Sequence, residues 1–400
     1  MVSPTTPLPL EGVRVIELAH LVAGPICGMY LADMGADVVK VESRDAPDAS
    51  RNIYSTYRGG EGILYLTVNR NKRGVSLDLR RPEGLEAFRR LASRADVVVT
   101  ALRGGVAERL GIGYEELRAV NPRLIYCCLS AFGPGGPWRE KPGLDPLVQA
   151  VGGLMAITGE PAGGPALAGA PVADTMGGLL ASMGVLTALI ARGRTGEGQR
   201  VDASLLDGVL LAQTARLCVF HETQEPFPRC GSGHPELAPF GAFHAKDDWI
   251  FVAVWVDRLW RPFCEAVGLS ELVDDPRFAT RSDRAANRAA LDDVVSAKLA
   301  ERTVAEWMEV LEAADVLCAP VNDFHELVQH PQVLASRMIA EQDHPVAGRF
   351  KTVATPVRLS ATPGSIRTPS PTLGEHTRQV LAEAGYSEGE IEELGRAGVI

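Results

Sequence analysis

At 400 residues the chain is longer than one small module, and two or three domains are expected. A composition of 46% hydrophobic and 22% charged residues can bury a full core, which excludes disorder as the main theme. The net charge of −10 without a basic block argues against a nucleic-acid binder, and 6% aromatics leave no base-stacking platform.

The seven cysteines are scattered and form no CxxC pair, so no disulfide framework and no metal site are expected. MVSPTTPLPLEGVRVIEL lacks the basic-then-apolar order of a signal peptide. The longest apolar run, Met176 to Ala191, reads as too short for a membrane span. A reducing, cytoplasmic location is the expectation.

In chain order, VRVIEL (13–18) and ADVVKVE (36–42) read as strands separated by a helix-length gap. PEGLEAFRRLAS (82–93) opens with Pro at a helix start and places Leu85, Phe88 and Leu91 on one face. DVVVT (96–100) and LIYCCL (124–129) are continuous apolar runs, suited to strands covered on both faces. The alternation predicts a doubly wound parallel sheet.

After the Gly/Pro-rich AFGPGGPWREKPG, helices are expected near 149–155 and 176–191, then over 201–220, with a loop over 224–239. DWIFVAV (248–254) opens a second compact region, with helical runs near 258–267, 283–299 and 304–314. A polar stretch over 359–371 precedes a helical tail, TRQVLAEAG.

The first strand-to-helix turn, AHLVAGPICG, lacks the spacing of a dinucleotide fingerprint, since Gly24 and Gly28 do not make GxGxxG. Glu42, at the end of the second strand, stands where a ribose-binding acid would. GxSxG and HExxH do not occur. His20 reads as a ligand, a base or a hydrogen-bonded structural histidine. Asp174, before an apolar helical run, reads as an N-cap, and the helix end would favour its ionised form. An ionised, partly desolvated carboxylate can also act as a covalent nucleophile.

Four blocks carry a resemblance: PLEGVRVIELAHLVAGPICGMYLADMGADVVKVE, NRNKRGVSLDLRRPEG, ADVVVTALRGGVAERLGIGYEELRAVNPRLIY and GAPVADTMGGLLASMGVLTALIARGRTGEGQRVDASLLDG. With the tail LGEHTRQVLAEAGYSEGEIEELGRAGVI, the chain resembles the class III CoA-transferase family, the superfamily of formyl-CoA transferase and α-methylacyl-CoA racemase. The resemblance implies an α/β fold: a large Rossmann-like, CoA-binding domain from both chain ends (1–200 and 330–400), a linker (201–225) and a smaller inserted α+β domain (226–329). It further implies an interlocked homodimer acting on acyl-CoA and small carboxylic acids, with coenzyme A as substrate and product and no permanently bound cofactor.

On the family pattern Asp174 matches the catalytic aspartate, which would pass through an aspartyl anhydride and an aspartyl-CoA thioester. Val22, Ala23, Leu77, Arg80, Leu102, Arg109 and Leu110 match positions lining the CoA groove. Gly231-Ser232-Gly233 falls on the family's glycine loop, whose N–H groups would stabilise oxyanions.

The chain departs from the pattern at Thr100-Ala101-Leu102, where relatives carry an aromatic, and at Ser43, where some carry an arginine; Arg44 is next to it. Leu144-Asp145 stands where racemases of the superfamily carry a His-Asp pair, so one base of an isomerase is missing. Asp145 could instead position the acceptor, or be a solvated or capping residue. An acyl-CoA racemase and a non-catalytic CoA-binding protein remain the alternatives.

Overall fold

The structure, a computed structural model, describes residues 7–400; the first six residues of the stretch examined for a signal peptide lie outside it. The described residues divide into two compact units, one of residues 7–152, 169–214 and 332–400, the other of residues 153–168 and 215–331.

The first unit is built on six strands: β1 (Arg14–Leu18), β2 (Asp37–Glu42), β3 (Lys72–Ser76), β4 (Val97–Thr100), β5 (Ile125–Ser130) and β6 (Arg200–Ser204). Their order is β3-β2-β1-β4-β5-β6 and every neighbouring pair is parallel. This is the doubly wound arrangement expected from the alternation of strands and helices. The order reverses between β1 and β4, so the carboxyl ends of those strands open the crevice where such sheets take their ligands.

Alternate residues explain the two faces of the sheet. Ile16, Leu18, Val39, Val41, Val98 and Tyr126 join one apolar core with Phe88 of helix α2 (Pro82–Ala92) and with Val380, Leu381 and Ile391 near the C-terminus. Leu85 and Leu91 pack at its margin, as the helical spacing requires. The opposite face meets α1 (Ala23–Asp33) and carries the buried charges Glu17 and Lys40. Two further helices complete the site region, α3 (Asp145–Val151) and α4 (Val172–Thr195), followed by α5 (Leu205–Ala212).

Three expectations need correction. The predicted helix over 149–155 is divided at Gly152-Gly153, where Gly153 takes φ 80°. Residues 201–225, expected as a linker, begin with β6, the edge strand of the main sheet, followed by α5 and a helix over Thr214–Thr223. The run expected to be too short for a membrane span lies in a 24-residue helix, α4, the one helix among the described residues long and apolar enough to cross a bilayer. It packs against α1, α3 and α5, as the core helix of a folded domain does.

The second unit holds a three-stranded antiparallel sheet, Leu317–Pro320, Trp249–Ala253 and Phe240–His244. Helices Trp260–Val267, Arg288–Leu299 and Val304–Ala313 cover it through Phe263, Leu291, Val295 and Trp307. It is an α+β layer pair.

Candidate active site

Asp174 is the third residue of α4, not its N-cap; Pro171 takes that position without a side-chain hydrogen bond. The amide of Asp174 is one of the unpaired donors of the first helical turn. Asp145 satisfies it from α3: its Oδ2 accepts the Asp174 N–H at 3.0 Å while its Oδ1 accepts from Gln149 Nε2 at 2.6 Å. Asp145 is only 6% exposed, so it is neither solvated nor a cap of its own helix.

The pairing sets the electrostatics of the site. Burial, and then the negative charge of Asp145, push the Asp174 carboxyl up to about 7. This reverses the expected preference for the ionised form: at this site desolvation and a like charge outweigh the helix end. The Asp174 carboxylate accepts no hydrogen bond among the described residues. Leu144 stands at the N-cap of α3, half-exposed and aliphatic. It offers no proton-transfer group, so deuterium incorporation at the α-carbon of a 2-methylacyl-CoA is not expected.

Val22, at the N-cap of α1, and Ala23, its first residue, lie at the carboxyl end of β1. Leu102 follows β4, so these three residues flank the switch point. Leu102 also lines an open cleft of 260 Å³ beside β5, with Arg103, Arg139 and Arg200 on its walls. These arginines carried no sequence signal, because an arginine in a loop or at a strand start is usually solvated. Leu110 is half-buried against the apolar core.

Leu77 could line a CoA groove only through its backbone. Its side chain is 1% exposed within that core and its N–H donates to the Glu42 carbonyl, so only its own carbonyl remains to meet a ligand. Arg80 is exposed and held by Asp78 and Asp45, each at 2.8 Å. Arg109 and Arg44 are exposed and no carboxylate pairs with either among the described residues. Glu42 cannot serve a ribose: it is buried, bonded to Arg51 at 2.8 Å, and accepts the Asp48 N–H at 3.0 Å. His20 lies half-buried after β1, and burial lowers its pKa.

Gly24 and Gly28 are glycines for clearance. A Cβ on Gly24 would fall 2.3 Å from that of Ala19, and one on Gly28 would fall 1.8 Å from the Glu17 carboxylate.

In the second unit the glycine stretch is anchored. Gly231, at φ 56°, donates its N–H to the Gly159 carbonyl at 2.9 Å, and Gly233 donates to the Cys230 carbonyl at 2.7 Å. The Ser232 hydroxyl accepts the Ala242 N–H, and the Arg288 guanidinium donates to the His234 and Leu237 carbonyls. Both glycine amides are therefore engaged, and an oxyanion role for either requires this loop to rearrange.

Comparison with known proteins supplies the family. Residues 10–377 match CoA-transferase family III. A succinate–glutarate CoA-transferase of Agrobacterium fabrum is 37% identical over 95% of this chain and 96% of its own length. A succinyl-CoA–D-citramalate CoA-transferase of Chloroflexus aurantiacus is 34% identical over the full length of both. The crystal structure of a CAIB/BAIF family protein from Brucella suis superimposes with a TM-score of 0.85 at 34% identity, covering 94% of this chain and all of that one. The parallel sheet, the mixed α/β architecture and the sequence agree, and the chain belongs to CoA-transferase family III.

Proposed function

We propose that the protein moves CoA from an acyl-CoA donor to a small carboxylic acid through covalent intermediates on Asp174. The observation that carries this reading is the Asp174 carboxyl: partly buried, free of hydrogen bonds among the described residues, and raised to about 7 beside Asp145. Such a carboxylate is more nucleophilic than an ordinary one, in exchange for a smaller ionised fraction in acid.

In the first step an Asp174 oxygen attacks the thioester carbonyl, the C–S bond breaks, and CoA leaves as thiolate with a mixed anhydride behind it. The thiolate then attacks the aspartyl carbonyl, releasing the donor acid and leaving an aspartyl-CoA thioester. The acceptor carboxylate attacks that carbonyl and expels the thiolate; the thiolate takes the acceptor acyl group and frees Asp174. Every proton and electron pair is accounted for without a redox partner. Asp145 contributes by holding the first turn of α4.

Val22, Ala23, Leu102 and Arg109 are assigned to the CoA ester at the crevice of the sheet. Arg109→Ala should raise the KM for acyl-CoA about tenfold with kcat and fold preserved, the size of one charge-assisted phosphate contact. An unchanged KM would remove Arg109 from the site.

The acceptor class follows the relatives, which are named for glutarate and D-citramalate. Mass spectrometry of free acids and CoA esters, with donor acyl-CoAs offered against a panel of mono- and dicarboxylates, tests the reading. No CoA exchange with any pair would sink it. Leu147 and Val151 of α3, Leu179, Met183 and Ile190 of α4, and Leu210 and Leu211 of α5 are exposed apolar residues, which supports their burial against a second copy in a homodimer; the interlocking of the two chains is what the family resemblance implies. Light scattering should find a dimer that persists on nanomolar dilution; a monomer there would exclude interlocking. All seven cysteines are free thiols, in keeping with a cytoplasmic location.

A further inference from the structure

The face of the sheet beneath α1 holds an ionic cluster that the transfer chemistry does not use. Glu17 of β1, Lys40 of β2, Lys72 of β3 and Asp48 in the segment after β2 are buried. Lys40 Nζ lies 2.9 Å from Glu17 and 2.8 Å from Asp48, and Lys72 Nζ lies 2.7 Å from Glu17. Two carboxylates thus meet two ammonium groups. A buried set of this kind is weak evidence of stability, because apolar side chains of similar volume commonly do as well.

Apolar side chains could not hold a backbone turn, and two members of the cluster do so. Lys40 Nζ donates to the Ala19 carbonyl at 2.7 Å. Asp48 Oδ1 accepts the Leu21 N–H at 2.9 Å and the Ser50 N–H at 2.9 Å. Directly after the second anchor Leu21 takes φ 68°, a left-handed conformation disfavoured for any residue with a Cβ. Val22 and Ala23 follow directly and begin α1 at the switch point of the sheet. Burial raises the Asp48 carboxyl, but the Lys40 ammonium and the backbone donors bring it down to about 2, so the pair stays charged at working pH.

We infer that Lys40 and Asp48 are positioning residues for the CoA ester, clamping the Ala19–Leu21 turn so that Val22 and Ala23 keep the geometry that receives it. The inference rests on the transferase reading above. It differs from a structural role in what it moves: the affinity for one substrate and not the chemistry.

Asp48→Ala should raise the KM for acyl-CoA about tenfold while kcat and the KM of the acceptor acid stay within about twofold. Asp48→Asn keeps an oxygen for the Leu21 N–H but no charge for Lys40, and should raise it about threefold. Leu21→Gly, added to either variant, should restore most of the loss, since glycine adopts φ 68° without the penalty a Cβ imposes. Circular dichroism and thermal midpoints identify which variants fold, and Asp48→Asn, the milder change, carries the test if Asp48→Ala does not. A folded variant with unchanged acyl-CoA KM, or a loss that glycine does not relieve, overturns the inference. Calorimetry of the wild type with a non-hydrolysable CoA thioether separates the two readings. Binding with unaltered variants removes only the clamp, whereas no binding removes the transferase reading and the clamp with it.

Discussion

Asp174→Asn should lose CoA transfer by at least about a thousandfold, the scale expected when a covalent route is closed, while still folding and binding CoA esters. An amide is a very poor nucleophile toward a thioester, and the remaining environment is unchanged: Asp145 still accepts the amide N–H at residue 174. In the wild type, hydroxylamine added with donor acyl-CoA should convert Asp174 to a hydroxamate on its own peptide. Near-normal turnover in the variant, or an adduct on another residue, would make the covalent assignment wrong. The wild-type rate should fall as pH drops through about 7, because the protonated carboxyl cannot attack.

The same substitution should stabilise the protein at alkaline pH, which sets it apart from an ordinary core mutation. The folded-state pKa of Asp174 is raised from 3.8 to about 7, so the native state holds a proton that the unfolded state has released. The contribution of this group to stability is greatest below the unfolded value, declines as pH rises toward 7 and is flat above it. Asparagine has no such dependence. Its advantage at pH 8 is on the order of 4 kcal/mol at most, less the screening at a partly open site, and should vanish near pH 4. Equal pH-stability curves for the two proteins would show that Asp174 ionises as an ordinary carboxyl.

The sheet was legible because its strands are apolar runs between amphipathic segments, and α2 because Pro82 and the 85-88-91 spacing both point to one helix. Strand β6 was not, since RVDAS runs straight into the helical LLDGVLLA and its partner β5 lies some seventy residues away. Asp174 stood out by its place before an apolar run, but its perturbation depends on Asp145, which reaches it from another helix. The ionic cluster left one sequence signal: Glu17 and Lys40 interrupt strands that should be apolar on both faces. A charge in such a strand must find a partner, and which partner it finds is set by the sheet's register, Glu17 opposite Lys40.

One carboxylate gathers the contacts that hold the irregular segment after residue 353, and Asp33→Ala should be strongly destabilising. Asp33 ends α1 and is 1% exposed. Its oxygens accept from Arg70 Nε at 3.0 Å and Nη2 at 2.7 Å, from Asn71 Nδ2 at 2.7 Å and from the Thr355 hydroxyl at 2.7 Å. Arg70 in turn donates to the Val353 carbonyl at 2.6 Å, and Asn71 Oδ1 accepts the N–H groups of Arg367 and Thr368. The polar stretch after residue 353, which has no regular structure of its own, is therefore held by side chains from the first seventy-one residues. Removing the carboxylate leaves the Arg70 guanidinium buried without its counter-charge, at a cost of about 3–5 kcal/mol. Urea unfolding should show that loss, and limited proteolysis should cut first between residues 353 and 370. Asp33→Ala combined with Arg70→Met should be less destabilised than Asp33→Ala alone, because the orphaned charge is gone. A single variant within about 1 kcal/mol of wild type, or a double variant worse than the sum of the two singles, would show that the C-terminal segment is held by other contacts.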